Sequence, residues 1–363
     1  MTAARTNAPL RVLVVDDSAY NRRNIADILG ENDEVEVIGK AADGEEALRL
    51  AIQQKPDVIT LDLEMPRMDG FTFLRILMAR QPTPVIVVSS YSQKENVFKA
   101  LELGAIDFVA KPEQRYSFNG PIRREILQKV RLVRALRPLS FRPMPSAASA
   151  APAAPARVDV TPRASQPQLR YVVAVAASTG GPPALMELLP RIPERSAAAI
   201  LVAQHMPEKF TKTFAERLDK KSSVHVTEAM DNDPIARGRV YICPGRNCME
   251  SVVGVGGGVG VQADLRIRLV APGRGDRYVP SANRLFRSVA EVAGSRAVGV
   301  ILTGMGDDGA DGARAILDAG GTVIAESEET AVVYGMPGAA VRAGVVSDVM
   351  PLSAIGDYLA GIL

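Results

Sequence analysis

A chain of 363 residues is too long for one ordinary domain and suits two, and a composition 47% hydrophobic and 23% charged can bury real cores. The formal net charge of +2 argues against a dedicated binder of nucleic acid or another polyanion. No apolar run approaches membrane-spanning length, and Met1–Pro9 lacks the apolar stretch of a secretory signal, so the expected location is the cytoplasm.

Short β-rich runs recur at Arg11–Val15, Val35–Lys40, Asp57–Leu61, Val85–Ser89 and Ile106–Ala110, with helical periodicity at Ser18–Leu29, Gly44–Gln53 and Lys94–Leu103. Strands alternating with helices predict βαβ units around a parallel sheet. A last helix is predicted over Pro121–Leu136, where Ile122, Ile126, Leu127, Val130 and Val133 make an apolar stripe. Its other face, with Arg123, Arg124, Lys129, Arg131 and Arg134, reads as solvated. From Arg137 to Gln168 the chain turns to a Pro/Ala/Ser mixture without a period. Such a segment buries too little apolar area to order itself, so it reads as a semi-extended linker between domains. The expected division is 10–136, 137–168 and 169–363.

Beyond the linker, near-continuous apolar runs at Tyr171–Ala177, Ala197–Ala203 and Ala297–Leu302 suit strands covered on both faces of a parallel sheet. Helical stretches such as Ala184–Leu189 and Pro280–Ala293 follow or separate them, and Val252–Val270 reads as a hairpin turning at Gly256–Gly258. That glycine run does not match a dinucleotide fingerprint, because the spacing is wrong and a strand follows it. Both domains are therefore expected to be α/β. Cys243 and Cys248 are the only cysteines, and with two histidines there is no zinc-like spacing, so both read as reduced thiols.

In the first half the conspicuous polar residues sit just beyond strands: Asp16 and Asp17 after RVLVV, Asp62 after DVITL, Ser89 closing PVIVVS, and Lys111 after DFVA. Residues at the carboxyl ends of parallel strands converge in one crevice. Carboxylates gathered there call for a hard cation, which Mg²⁺ with oxygen ligands satisfies, and a carboxylate can also accept a phosphoryl group. The run DD, then D-x-x-M-P-x-x-D-G at Asp62–Gly70, a hydroxyl after a strand, and Lys111-Pro112 resembles a response-regulator receiver domain, of flavodoxin-like fold, over about Leu10–Leu136. The resemblance implies Asp62 as phospho-acceptor and Asp16 and Asp17 as metal-site residues with it. It implies Ser89 and Lys111 as phosphate contacts, and Phe108 as the switch aromatic that moves inward on phosphorylation.

In the second half Ser178 follows YVVAVAA, His205 follows AAILVAQ, and Asp307-Asp308 follow AVGVILTGMG. If these strands lie side by side, a nucleophile, a base and an orienting carboxylate meet at one sheet edge. Of the two histidines, His225 alternates with valines in VHVTE and reads as the solvent face of a short strand, which leaves His205 as the base. Glycines and prolines after Ser178 make a helix start whose free N–H groups can cradle a phosphate or an oxyanion, and no adjoining Lys or Arg favours phosphate. The setting is not a G-x-S-x-G elbow, and the order Ser…His…Asp differs from that of α/β-hydrolases.

S-T-G-G-P (Ser178–Pro182), Q-H-M-P (Gln204–Pro207), F-A-E-R-L (Phe214–Leu218) and L-T-G-M-G-x-D-G (Leu302–Gly309) resemble the chemotaxis protein-glutamate methylesterase family over about Arg170–Leu363. A receiver linked to such a domain is that family's layout. The resemblance implies Ser178 as nucleophile, His205 as base and Asp308, rather than Asp307, as orienting acid. It implies that Thr179 and Met305 line the site, with a backbone amide near Met305 helping to hold the oxyanion. It also implies methylated chemoreceptors as substrate, a chemotaxis histidine kinase as phosphodonor, glutamine deamidation as a second reaction, and inhibition by the unphosphorylated receiver. Mg²⁺ is then the sole expected cofactor.

Two segments depart from the family's usual pattern: Cys243-Pro244-Gly245-Arg246-Asn247-Cys248 stands for A-P-G-D-x-H, and Val279-Pro280-Ser281-Ala282-Asn283 for R-P-S-V-D. A histidine and an acid expected near the substrate groove are thus missing, which leaves a non-catalytic receptor-binding adaptor as the alternative. A transcriptional regulator is disfavoured, since the second domain offers sheet strands rather than a helix-turn-helix with a basic face.

Overall fold

The apolar runs fold as strands, and the amphipathic stretches between them as helices, in a computed structural model that describes residues 8–90, 94–112, 120–136, 169–254 and 264–362. The chain divides into two compact units, Met1–Ser146 and Ala147–Leu363. The expected linker, 137–168, and the glycine turn at 256–258 lie outside the described residues.

In the first unit the order is β1 (Leu10–Val15), α1 (Ala19–Gly30), β2 (Val35–Ala41), α2 (Gly44–Gln54), β3 (Val58–Leu61), α3 (Gly70–Arg80), β4 (Val85–Ser89), α4 (Lys94–Glu102), β5 (Asp107–Ala110) and α5 (Pro121–Leu132). The strands pair in parallel in the order β2-β1-β3-β4-β5. This is the flavodoxin-like order, whose switch point opens a crevice between β1 and β3. Ser18, Asp43 and Asp69 cap α1, α2 and α3, each side chain accepting amide hydrogens of the first turn. Asp16, Asp17 and Asp62 stand before the caps and are left for the crevice.

Helix α5 ends at Leu132 and passes into a 3-10 turn, Val133–Ala135, short of the predicted Leu136. Its basic face also differs from expectation. Lys129 turns inward and donates to Asp107 Oδ1 at 2.9 Å and to the Phe108 carbonyl. Arg123 pairs with Glu31, and Arg131 Nε lies 2.8 Å from Glu34 Oε2. The cause is Asp107, a buried carboxylate on β5 that requires a cation.

The second unit runs β6 (Tyr171–Ala177), α6 (Gly181–Leu188), β7 (Ala198–Gln204), α7 (Glu208–Lys221), β8 (His225–Glu228), β9 (Arg239–Ile242), β10 (Cys248–Val253), β11 (Leu265–Val270), α8 (Ala282–Ala293), β12 (Ala297–Ile301), α9 (Ala310–Asp318), β13 (Thr322–Glu326), α10 (Met336–Arg342), β14 (Asp348–Met350) and α11 (Leu352–Ile362). Seven strands form one parallel sheet, β14-β13-β12-β6-β7-β9-β8. Strands β10 and β11 make the expected hairpin, antiparallel from Cys248↔Val270 to Val253↔Leu265, and it packs on α8.

The three strands with the most apolar sequences, β12, β6 and β7, lie at the centre and are buried apart from Tyr171. Phe286 and Val289 of α8 and Ile316 of α9 cover one face of the sheet in a single apolar cluster. Burial of each such side chain contributes about 1.5–3 kcal/mol. The sheet winds outward in both directions from β6, so its switch point lies at the carboxyl end of that strand, where Ser178 follows.

Candidate active site and acidic pocket

The carboxyl ends of β6, β7 and β12 carry the residues singled out from the second half of the sequence. Ser178 N–H donates to the Thr303 carbonyl at 3.0 Å, tying the serine turn to the segment after β12, and His205 N–H donates to the Ala177 carbonyl at 2.9 Å. His205 Nε2 lies 2.9 Å from Asp308 Oδ2. Asp308 is 1% exposed. Its carboxylate accepts the first amides of α8, Oδ2 from Ala282 N–H at 2.7 Å and Oδ1 from Asn283 N–H at 3.0 Å. The first amides of α8 therefore fix the position of the carboxylate.

Asp307 is placed differently. Its side chain is 56% exposed, accepts the Tyr278 hydroxyl at 3.0 Å, and lies 3.3 Å from Arg277. The Tyr278 ring stacks on His205 with centroids 5.1 Å apart and planes 2° from parallel. Nothing in the sequence pointed to Tyr278, which sits 73 positions from that histidine.

Thr179 is buried and its carbonyl accepts the Thr303 hydroxyl at 3.0 Å, while Met305 is exposed on the loop after β12. Gly304 packs directly on the serine: a Cβ there would stand 2.7 Å from Ser178 Cβ and 2.4 Å from Met336 Sδ. A cleft of about 250 Å³ adjoins Asp308, lined in part by Asp276, Arg277, Tyr278, Asn283 and Asp307.

Glu326 was also not legible in the sequence. It ends β13 fully buried, with Oε2 accepting Thr303 N–H at 2.7 Å and Oε1 the Thr330 hydroxyl at 2.9 Å. Burial pushes its carboxyl up to about 7, against the two hydrogen bonds, which lower it. The folded chain thus holds a proton here that the unfolded chain releases near 4.5, and stability falls as pH rises from about 4.5 through about 7. In Glu326→Gln, the amide oxygen can keep the Thr303 bond and the NH₂ can donate to Thr330 Oγ1. The variant should match wild type in thermal unfolding near pH 5 and exceed it near pH 8, by on the order of 3 kcal/mol. A difference independent of pH would contradict this account.

In the two departing segments, Arg246 pairs with Glu208 at 2.8 Å. Asn283 Oδ1 accepts Gly309 N–H at 3.1 Å and Gly312 N–H at 2.7 Å, bracing the start of α9. Cys243 and Cys248 are free and fully buried, and burial pushes both thiols up, away from the reactive thiolate. The double variant Cys243→Ser, Cys248→Ser is expected to keep most of its hydrolytic rate, measured as product release. Loss of that rate with the fold intact would give the loop a chemical role. His225 is exposed on β8, its Nδ1 3.0 Å from Asp219 Oδ1, well removed from this machinery.

In the first unit, Asp16, Asp17 and Asp62 offer carboxylate oxygens within 4.8 Å of one another. Lys111 Nζ lies 2.5 Å from Asp62 Oδ2 and 2.9 Å from Asp16 Oδ2. Burial, opposed by Lys111 and reinforced by Asp16, pushes the Asp62 carboxyl up to about 6. One ammonium against three clustered carboxylates leaves negative charge that a hard divalent cation would balance, so this donor set fits Mg²⁺. Ser89 ends β4 and is buried. The Phe108 ring is already buried, edge-on to Phe98 at 6.3 Å and under Lys129 Nζ at 5.3 Å.

An α/β unit of flavodoxin-like order with an acidic pocket, followed by a doubly wound unit with Ser, His and Asp at its switch point, defines a receiver-containing protein with an α/β effector domain. Residues 12–119 match the response regulator receiver domain model, and residues 173–359 match the model of CheB methylesterase. A Myxococcus xanthus protein named protein-glutamate methylesterase/protein-glutamine glutaminase 1 is 49% identical over 97% of each chain. A Pyrococcus abyssi protein named protein-glutamate methylesterase/protein-glutamine glutaminase is 41% identical over 97% of this chain and 93% of its own. The crystal structure of the Thermotoga maritima CheB methylesterase catalytic domain superposes with a TM-score of 0.50 at 36% identity, over 53% of this chain and 98% of that one. The chain belongs to the CheB methylesterase family, with an N-terminal response regulator receiver domain. Among the described residues no helix is long and apolar enough to cross a membrane.

Proposed function

We propose that this chain hydrolyses glutamate methyl esters on chemoreceptors in the cytoplasm, releasing methanol, and deamidates receptor glutamines at the same centre. The observation that carries the reading is the 2.9 Å contact of His205 Nε2 with an Asp308 held by α8 amides, on the strand next to Ser178. Asp308 orients the imidazole and balances its charge, and the remaining ring nitrogen takes the Ser178 proton as Oγ attacks the ester carbonyl. Amides beside Thr179 and Met305 hold the oxyanion. Methoxide leaves with the proton from His205, and water, deprotonated by His205, then releases glutamate and restores Ser178. With glutamine the leaving group is ammonia. Family relatives named for both reactions, and the intact Ser-His-Asp set, favour this reading over the adaptor.

The receiver, 10–136, would accept a phosphoryl group at Asp62 from a chemotaxis histidine kinase, with Ser89 and Lys111 binding its oxygens. Asp16, Asp17 and Asp62 would hold Mg²⁺, which when bound offsets charge on the phosphoryl group. The linker, 137–168, would keep the receiver close to the hydrolase, 169–363, so that phosphorylation controls its rate. Mass spectrometry of receptor peptides tests the substrate: methylglutamate and glutamine should both become glutamate on incubation with the phosphorylated chain. Unchanged peptides would refute the proposal.

A further inference from the structure

We infer that Gln204 is a positioning residue that sets the nucleophile against the base; the inference rests on the roles proposed for Ser178 and His205. Gln204 ends β7 opposite Ala177 of β6 and is 1% exposed. Its side-chain amide nitrogen donates to the Ser178 carbonyl at 2.9 Å and to the His205 carbonyl at 3.0 Å. Both hydrogens of one NH₂ group are thus spent on the peptide planes of the two residues whose side chains react. The reverse amide orientation would set oxygen against two carbonyl oxygens, so the partners determine which way the group points.

The amide's own oxygen is the second observation. Gln204 Oε1 is buried without a hydrogen-bond partner among the described residues. A buried acceptor left unpaired costs stability, and a methionine of similar length would avoid that cost. What methionine cannot supply is the two donors. Room for the oxygen comes from Gly181, where a Cβ would stand 2.1 Å from Oε1 and 2.9 Å from Ala177 Cβ. Gly181 N–H also donates to the Ser178 carbonyl at 2.8 Å, so serine turn, helix start and glutamine form one bracket. Triad chemistry tolerates little misplacement: about 1 Å can cost 10²-fold in rate. A bracket that joins the two carbonyls directly is a means of holding that distance.

The test uses the full chain, phosphorylated with acetyl phosphate and Mg²⁺, on membranes bearing methylated receptors, with methanol release giving kcat and KM. Gln204→Met should lower kcat about ten-fold or more, hold KM within about two-fold, and remain folded at the assay temperature, because removing the unpaired Oε1 offsets part of the cost of losing the two donors. Gly181→Ala, a change that favours a helix elsewhere, should lower kcat in the same way by driving Oε1 out of place. A folded Gln204→Met with kcat within about two-fold of wild type, or a rise in KM alone, overturns the inference. If Gln204→Met does not fold, Gly181→Ala decides by the same criterion. Wild type that releases no methanol would refute the proposed hydrolase itself, whereas active wild type with unaffected variants removes only the role of Gln204.

Discussion

Asp308→Asn is expected to slow methanol release by about 10⁴-fold, while Asp307→Asn costs less than about three-fold. The two neighbours differ in what they touch. Asp308 is buried, takes two α8 amides and faces the imidazole, so an amide there presents NH₂ where His205 needs an acceptor and favours the wrong tautomer. Asp307 faces solvent and holds Tyr278 and Arg277 on its two separate oxygens, so an asparagine can keep the Arg277 contact through its oxygen and donate its NH₂ to the Tyr278 hydroxyl oxygen. Ser178→Ala and His205→Ala should each cost about as much as removing the whole triad, roughly 10⁶-fold, with thermal unfolding unchanged. Equal losses from the two aspartate variants, read from kcat on methylated receptor membranes, would contradict the assignment.

The second large effect concerns control. Acetyl phosphate with Mg²⁺ should raise the activity of the full chain, and Asp62→Asn should abolish the whole increment while leaving the basal rate intact. Lys111→Ala should abolish it as well. Its ammonium is the cation the structure places between Asp62 and Asp16, and the phosphoryl oxygens would lose that partner. A fragment from Arg170 to Leu363 should not respond to acetyl phosphate at all. A response in Asp62→Asn would place the phospho-acceptor elsewhere.

Much of this architecture was legible because the chemistry follows the strands. The runs before Ser178, His205 and Asp308 form β6, β7 and β12, buried at the centre, where a strand must be apolar on both faces and so stands out. The rim was harder to read. Strand β14 is only three residues, Asp348–Met350, largely exposed, and β8 alternates around the exposed His225, so neither carries a sustained apolar signal. Boundaries drifted by a residue or two where a cap rather than hydrophobicity sets the end, as at Ser18 and Ala19.

Long-range polar contacts left no local pattern. Tyr278 against His205, Glu326 against Thr303, and Lys129 against Asp107 each depend on where distant elements meet. Asn283 shows the opposite limit. Its sequence context suggested an acid lost from the substrate groove, yet its side-chain oxygen receives two amides at the start of α9, work that needs an acceptor and no charge. Phe108 packs edge-on to Phe98 and under Lys129, neighbours that its sequence position does not reveal.

The central claim, that Ser178, His205 and Asp308 form a working esterase on methylated receptors, is tested most directly by methanol release. The phosphorylated wild-type chain should release methanol from methylated receptor membranes, and the Ser178→Ala chain, equally folded and equally able to bind them, should release none above background. Receptor binding by wild type without methanol, or the same methanol yield from Ser178→Ala, would contradict the account.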